Sequence, residues 1–193
     1  MELNRDYWES KWDSKQTGWD IGYVSPPIAK YIDQLVDKEC KILIPGSGNS
    51  YEGEYLWKKG FKNVFLLDYS GLPFKELLKR CPDFPDDQLL VGDFFHHDGS
   101  YDLIIEQTFF CALNPVLRKK YVEKMNQLIT DNGSLIGLLF KVDFGNDHPP
   151  YGGTQEEYLT LFSSHFDIKI MEEAYNSIPQ RQGAELFIEL KKA

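Results

Sequence analysis

The segment IPGSGNS, residues 44–50, sets Gly46 and Gly48 two apart behind an apolar run. Glycines in that pattern let the backbone turn tightly and approach a ligand. Asp68 follows about twenty residues downstream, where a carboxylate can accept from both hydroxyls of a ribose. GDFF, residues 92–95, then offers Asp93 as an acceptor for an exocyclic amine. Phe94 beside it offers a backbone N–H and an apolar face for a purine. Each feature has a plainer alternative: an ordinary αβ turn for the glycines, and turn or N-cap roles for the aspartates. The third glycine of the dinucleotide fingerprint is missing, with Tyr51 in its place, which argues against a bound pyrophosphate. Taken together, the three features describe an adenosine pocket without a phosphate cradle.

Residues 6–20, DYWESKWDSKQTGWD, hold Trp8, Trp12 and Trp19, three of the chain's four tryptophans, among many charges. His96-His97-Asp98 has metal-ligating residue types, but adjacent residues seldom converge on one ion and no further ligand is suitably spaced. No metal is expected, and the stretch reads as a solvated turn. Cys111 has no base identifiable beside it, so it reads as a buried structural thiol rather than a nucleophile.

These residues sit at the ends of elements that the sequence marks out. Strands are expected at 41–46, 63–68, 88–93, 101–107 and 134–142, each a short apolar run. Ser50 is placed to cap a helix running to about Lys59, with Gly60 ending it. A second helix is expected from Gly71 to Arg80, closed by Pro82. Asn114-Pro115 opens a third, whose apolar Leu117, Tyr121, Met125 and Leu128 recur at helical spacing up to a stop at Asn132-Gly133. A fourth helix near 154–164 precedes strands near 166–174 and 184–191. Apolar strands alternating with helices imply a mostly parallel sheet covered on both faces. The last two strands are joined by a loop, which predicts an antiparallel hairpin at one edge. The fold class is therefore α/β, a Rossmann-like three-layer sandwich, and the antiparallel edge is typical of the class I methyltransferase fold. Ligands bind such sheets at the carboxyl ends of the strands.

The chain has 193 residues, 42% hydrophobic and 15% aromatic, which suits one globular domain over 1–193. The net charge of −9 disfavours nucleic acid as a partner. Short basic runs at Lys58-Lys59, Lys79-Arg80 and Arg118-Lys119-Lys120 read as helix faces in water. No apolar run is long enough to span a membrane, so no membrane partner is expected. Three cysteines, an odd number without Cys-x-x-Cys, fit a reduced, cytoplasmic chain. The N-terminus shows no signal-peptide pattern. A monomer is favoured, though the sequence does not fix the oligomeric state.

The chain resembles the thiopurine methyltransferase superfamily, and most closely its halide/thiol methyltransferases. The shared residues are WESKWDSKQTGWD at 8–20, PGSG at 45–48 preceded by Ile44, FFCA at 109–112, PPY at 149–151 and IPQRQG at 178–183. The resemblance implies an enzyme that transfers a methyl group from S-adenosyl-L-methionine and releases S-adenosyl-L-homocysteine. It implies that about 1–24 form a flap closing over cofactor and acceptor, lined by Trp8, Trp12 and Trp19. Physical chemistry agrees: aromatic faces favour a sulfonium cation, and a lid of indoles excludes water. The alternative is that the indoles pin an N-terminal helix to the domain. Gly46, Gly48, Asp68, Asp93 and Phe94 would then hold the cofactor. Plant members commonly carry Asp-Tyr where this chain has Glu106-Gln107, so Gln107 would replace an aromatic contact to the cofactor with an amide. Ser50 replaces a glycine. The implied acceptor is a small soft nucleophile: a thiol, hydrosulfide, thiocyanate or halide, with a thiopurine also in range. Trp19, Tyr151 and Arg181 are the candidate catalytic residues, Tyr151 to orient the acceptor and Arg181 to attract an anion. Tyr151 equally suits a loop-ordering role. Such acceptors need no strong base, so the rate with iodide should be nearly flat with pH, and Glu106 is the group to suspect otherwise. The alternatives are another small-molecule or nitrogen acceptor, or an inert cofactor-binding homologue.

Overall fold

The computed structural model describes residues 3–193. Met1 and Glu2, the first residues of the expected flap, lie outside the described residues. The backbone clusters into two compact units, the first ending at His97 and the second running Asp98–Ala193.

In the first unit the strands β1 (Ile42–Pro45), β2 (Val64–Asp68) and β3 (Leu89–Val91) pair in parallel, β2 lying between the other two. Every residue of β1 is buried, as a strand covered on both faces requires. The helices are α1 (Arg5–Asp13), α2 (Pro26–Ile32), α3 (Tyr51–Lys58) and α4 (Phe74–Arg80). Helix α3 approaches β2 through Gly53, where an added Cβ would meet the Leu66 side chain at 2.6 Å. Its neighbour Glu52 is buried, and the carboxylate accepts the Ser25 backbone N–H at 3.0 Å, which ties down the start of α2. Helix α4 is shorter than expected. Residues before Phe74 belong to the turn after β2, where the Ser70 hydroxyl accepts the Leu72 N–H at 3.2 Å.

In the second unit β4 (Tyr101–Gln107) pairs in parallel with β5 (Ile129–Phe140), and β5 pairs antiparallel with β7 (Glu185–Lys192). Strand β6 (Phe166–Glu173) completes the antiparallel edge against β7. Helices α5 (Arg118–Leu128) and α6 (Gln155–Phe162) carry Tyr121, Tyr158 and Phe162 into an aromatic core with Phe110 and Phe166. Asn114 and Pro115 act as expected, with the Asn114 side chain accepting the Val116 N–H at 3.1 Å, but the first turn is a 3-10 turn.

The expected helix stop at Asn132-Gly133 is wrong. Helix α5 ends at Leu128, and the chain passes straight into β5. The Asn-Gly pair lies in a bulge: the step from Tyr101 to Leu103 on β4 is matched by Ile129 to Ser134 on β5. A bulge takes up extra residues in a strand, so it carries a turn-like signal without ending the strand. Among the described residues no helix is long and apolar enough to cross a membrane.

Candidate functional site

The first unit gathers its candidates around the turn after β1. Gly46 and Gly48 adopt positive φ, +60° and +49°, a region that costs an L side chain energy. Ser50 adopts it too, at +58°. Its hydroxyl does not cap α3 as expected; it donates to the Gly48 carbonyl at 3.1 Å and so braces the turn that strains it. Asp68, at the end of β2, binds the same turn. One carboxylate oxygen accepts the Gly48 N–H at 2.9 Å and the other the Ser70 N–H at 3.0 Å. Burial pushes the Asp68 carboxyl up, and the backbone N–H groups of Ser70, Gly48 and Tyr69 oppose that rise. Each oxygen has lone pairs left over, so the two-pronged ribose geometry stays open to it.

Asp93 follows β3 and caps the 3-10 turn 94–96. It accepts the Phe95 N–H at 2.8 Å, and its other oxygen lies 2.9 Å from His96 Nδ1. Tyr69 also bonds to it. Burial first, and the Asp93 charge second, push the Tyr69 hydroxyl up to about 12. Asp93 is thus a turn aspartate, with any ligand role restricted to its remaining lone pairs. Phe94 is buried, its ring edge-on to Phe95 at 5.3 Å.

The tryptophans lie together. Asn4 caps α1 through the Tyr7 N–H, and α1 presents Trp8 and Trp12 one turn apart. Trp19 meets both edge-to-face, each at 5.6 Å between ring centres. The Trp12 ring lies on the glycine turn, 3.5 Å from where a Gly48 Cβ would stand. Polar contacts fasten the rest of the segment. The Arg5 Nε–H donates to the Tyr69 carbonyl at 2.8 Å, the Ser70 hydroxyl donates to Glu9 at 3.3 Å, and the Asn49 amide donates to Asp20. None of α1 is fully buried. The indoles therefore meet one another and the glycine turn, instead of sinking into a core.

The second unit's candidates lie at the end of β4 and along two later loops. Glu106 is fully buried there. One oxygen accepts the Phe109 and Phe110 N–H groups at 2.8 and 2.9 Å, and the other accepts the Tyr121 hydroxyl at 2.7 Å. Burial pushes its carboxyl up to about 7, against the pull of those three donors. Room for it comes from Gly137 on β5, its register partner, where a Cβ would stand 2.4 Å from the Glu106 Cβ. Cys111 is buried, and burial pushes its thiol far above the usual range, as suits an inert thiol. Tyr151 is half-buried. Its N–H donates to the Cys111 carbonyl at 2.7 Å and its hydroxyl to the Asp147 carbonyl at 3.1 Å. Arg181 donates to the buried Glu185 at 3.4 Å, and Ser177 donates to the other Glu185 oxygen at 2.7 Å. The charge expected to attract an anion therefore already has a carboxylate beside it.

Sequence reasoning missed Arg118. The run Arg118-Lys119-Lys120 was expected in water, yet the Arg118 side chain is only 7% exposed. It donates to Glu157 at 2.5 Å and to the Gly152 carbonyl at 2.6 Å, and stacks over Phe110 at 4.9 Å. Its partners are far away in sequence, so no local pattern could reveal them. Arg80 is likewise drawn out of water, onto Glu54 and the Asn49 carbonyl.

Two buried acceptors, Asn49 Oδ1 in the first unit and Gln107 Oε1 in the second, lack a hydrogen-bond partner. A buried unpaired acceptor costs free energy that a donor-bearing ligand removes. Ribose hydroxyls and an amino group are such donors. Each of the two acceptors, taken by itself, fits a ligand hydroxyl or amino group.

Comparison with known proteins gives the same direction. A family model described as thiopurine S-methyltransferase matches residues 3–189. A probable thiol methyltransferase 2 of Arabidopsis thaliana is 31% identical over 78% of this chain and 69% of its own. Thiocyanate methyltransferase 1 of the same plant is 28% identical over 96% of this chain and 84% of its own. Among solved structures, a TehB-like S-adenosylmethionine-dependent methyltransferase of Corynebacterium glutamicum superposes with TM-score 0.68 at 18% identity, covering 98% of both chains. A Burkholderia thailandensis N1-methyltransferase of 1,6-didemethyltoxoflavin, solved with S-adenosylhomocysteine, gives TM-score 0.73 at 15% identity over 98% of this chain and 87% of its own. The fold is that of a class I methyltransferase, as the alternation of strands and helices implies.

Proposed function

We infer the acceptor from the family and the site: this chain belongs to the thiopurine S-methyltransferase family, is an S-adenosylmethionine-dependent methyltransferase, and acts on a small soft nucleophile. The acceptor class is a thiol, hydrosulfide, thiocyanate or halide. The observation that carries the reading is the indole cluster laid on the glycine turn that Asp68 holds from below. When bound, S-adenosylmethionine would supply an electrophilic methyl group: the acceptor's lone pair would form a bond to that carbon as the carbon–sulfonium bond breaks in line, its electron pair leaving on the sulfur of S-adenosylhomocysteine.

The residues of this chain then have the following parts. Asp68 accepts from the ribose, Gly46 and Gly48 let the backbone come close, and Phe94 gives an apolar wall with Asp93 at its edge. Gln107 offers its unpaired amide oxygen to the amino-acid end. Trp8, Trp12 and Trp19 exclude water and turn ring faces toward the cationic sulfur. Tyr151 orients the acceptor. Arg181 shares its charge with Glu185, which leaves less of it to attract an anion. A soft anion is already reactive near neutral pH, so catalysis is alignment and desolvation. The whole chain, 1–193, is taken as one methyltransferase domain with its flap at about 1–24, working as a monomer in the cytoplasm.

The experiment is an acceptor panel read by S-adenosylhomocysteine release, with iodide, thiocyanate, hydrosulfide and a thiopurine side by side. Turnover is expected with the small anions and hydrosulfide. A protein that binds S-adenosylmethionine yet turns over none of the four would overturn the acceptor class.

A further inference from the structure

We propose that Glu106 is a positioning residue of the transfer reaction: its buried carboxyl fixes the turn after β4 and, through that turn, places Tyr151. The inference rests on the acceptor-orienting part given above to Tyr151. The path is continuous. Glu106 accepts the Phe109 and Phe110 N–H groups, which hold the turn that Thr108 enters at a φ of +56°. The same turn ends at Cys111, whose carbonyl accepts the Tyr151 N–H at 2.7 Å. Two long-range features make room for and steady the arrangement. Gly137 vacates the space beside Glu106, and Tyr121 anchors the second carboxylate oxygen from α5.

A structural acid would be replaceable by a neutral group, whereas this one bonds only through donors pointing at it. Two backbone N–H groups and a hydroxyl all give hydrogen bonds to the carboxylate. Such bonds are roughly twice as strong to an anion as to a neutral oxygen. Protonation therefore loosens the turn, and the geometry couples the place of Tyr151 to the charge at Glu106. The titratable groups facing that carboxylate are Tyr121 from α5 and Cys111 from the turn, and from β5 it faces Gly137. Burial holds the Glu106 carboxyl near 7, so the coupling operates within the physiological range. The pH-flat rate with iodide expected from the acceptor's chemistry is thereby replaced by a rising one.

The test uses the full chain with iodide, which does not titrate, as acceptor. Turnover of the wild type is expected to rise between about pH 6 and 8 as Glu106 ionises. Glu106→Gln should lose about tenfold in kcat at pH 8 and give a flat profile. Tyr151→Phe should also be slow. The double variant should be no slower than the slower single one, since both act through the same hydroxyl. Should Glu106→Gln fail to fold, Tyr121→Phe carries the test. Losing a donor to the anion, it should move the midpoint of the kcat profile to higher pH. Wild-type kcat in Glu106→Gln, losses that multiply in the double variant, or an unmoved profile in Tyr121→Phe would each overturn the positioning role while leaving Tyr151 in place. Wild-type turnover in Tyr151→Phe would instead remove the part given to Tyr151, and the role of Glu106 with it.

Discussion

The two units hold their candidate residues with different material. In the first, backbone does most of the holding: positive-φ residues shape the turn, and Asp68 grips it through main-chain N–H groups. In the second, side chains that are themselves buried do the holding. Tyr121 reaches Glu106 over 15 residues, Arg118 reaches Gly152 over 34, and Arg118 reaches Glu157 over 39. A backbone cradle suits a ligand whose shape is constant, such as a cofactor. A side-chain framework can be retuned by substitution, which suits the acceptor-orienting part proposed for Tyr151.

The largest effect should come from removing the N-terminal segment proposed as a lid over the glycine turn. Deletion of residues 1–20 should leave a folded protein with turnover reduced by two orders of magnitude or more, within the range that water exclusion and alignment can supply. Retention of full activity would make the three indoles mere packing and erase the contrast with the second unit.

Glycine substitution sharpens the comparison. A Cβ on Gly152 would lie 1.5 Å from the Val142 carbonyl oxygen, whereas one on Gly48 would meet Trp12 at an ordinary 3.5 Å. Gly152→Ala should therefore destabilise by about 3 kcal/mol or more, because the backbone itself must move. Gly48→Ala should lose only about 1 kcal/mol, the strain of its positive φ. Equal losses in thermal unfolding would contradict the assignment of close packing to the second unit.

Stability against pH separates the units next. The Glu106 carboxyl is raised in the folded state, from 4.5 to about 7. Its contribution is therefore fully present below 4.5 and is lost as pH rises through 7. The loss amounts to about 3 kcal/mol. Glu106→Gln should lack that loss, so the gap between wild type and variant should shift by this amount between pH 5 and 8. A gap that stays constant would mean the carboxyl is not raised.

The smallest ligand effect concerns Asp68. Asp68→Ala should weaken S-adenosylhomocysteine binding by about 1.5–3 kcal/mol, the range for hydrogen bonds to a charged group. Titration calorimetry giving an unchanged affinity would take Asp68 out of the ribose role and leave it as a brace for the turn alone.

The two halves were also unequally legible in sequence. The first unit's features are local: a Gly-x-Gly behind a strand, an aspartate at the next strand end, and three indoles grouped within residues 8–19. Strand β4 was located residue for residue, since a run of apolar residues between polar ends marks it. The α5–β5 boundary was misplaced, because Asn132-Gly133 signals a turn whether it ends an element or sits in a bulge. Helix α2 was passed over, being short and led by two prolines, although Ser25-Pro26 is a serviceable start signal. Arg118 was misread because burial of a charge depends on partners in α6 and the loop before it, and neither is near it in the chain. In sequence Glu106 stands out as a departure from a pattern and as the first suspect for a pH dependence, but what sets its behaviour is the ring and turn folded over it.

The packing of Trp8 and Trp12 against Trp19 also gives the protein an optical signature. The fourth tryptophan, Trp57, sits apart on α3, its indole N–H on Asp83 and its ring under Lys62. Chromophores held edge-to-face at 5.6 Å share their excitations, so near-ultraviolet dichroism should be dominated by residues 8–19. Lifting Trp12 from the Gly48 turn should therefore change the intrinsic fluorescence and dichroism of the protein. Motion of the segment can accordingly be timed on the unlabelled protein by stopped-flow fluorescence.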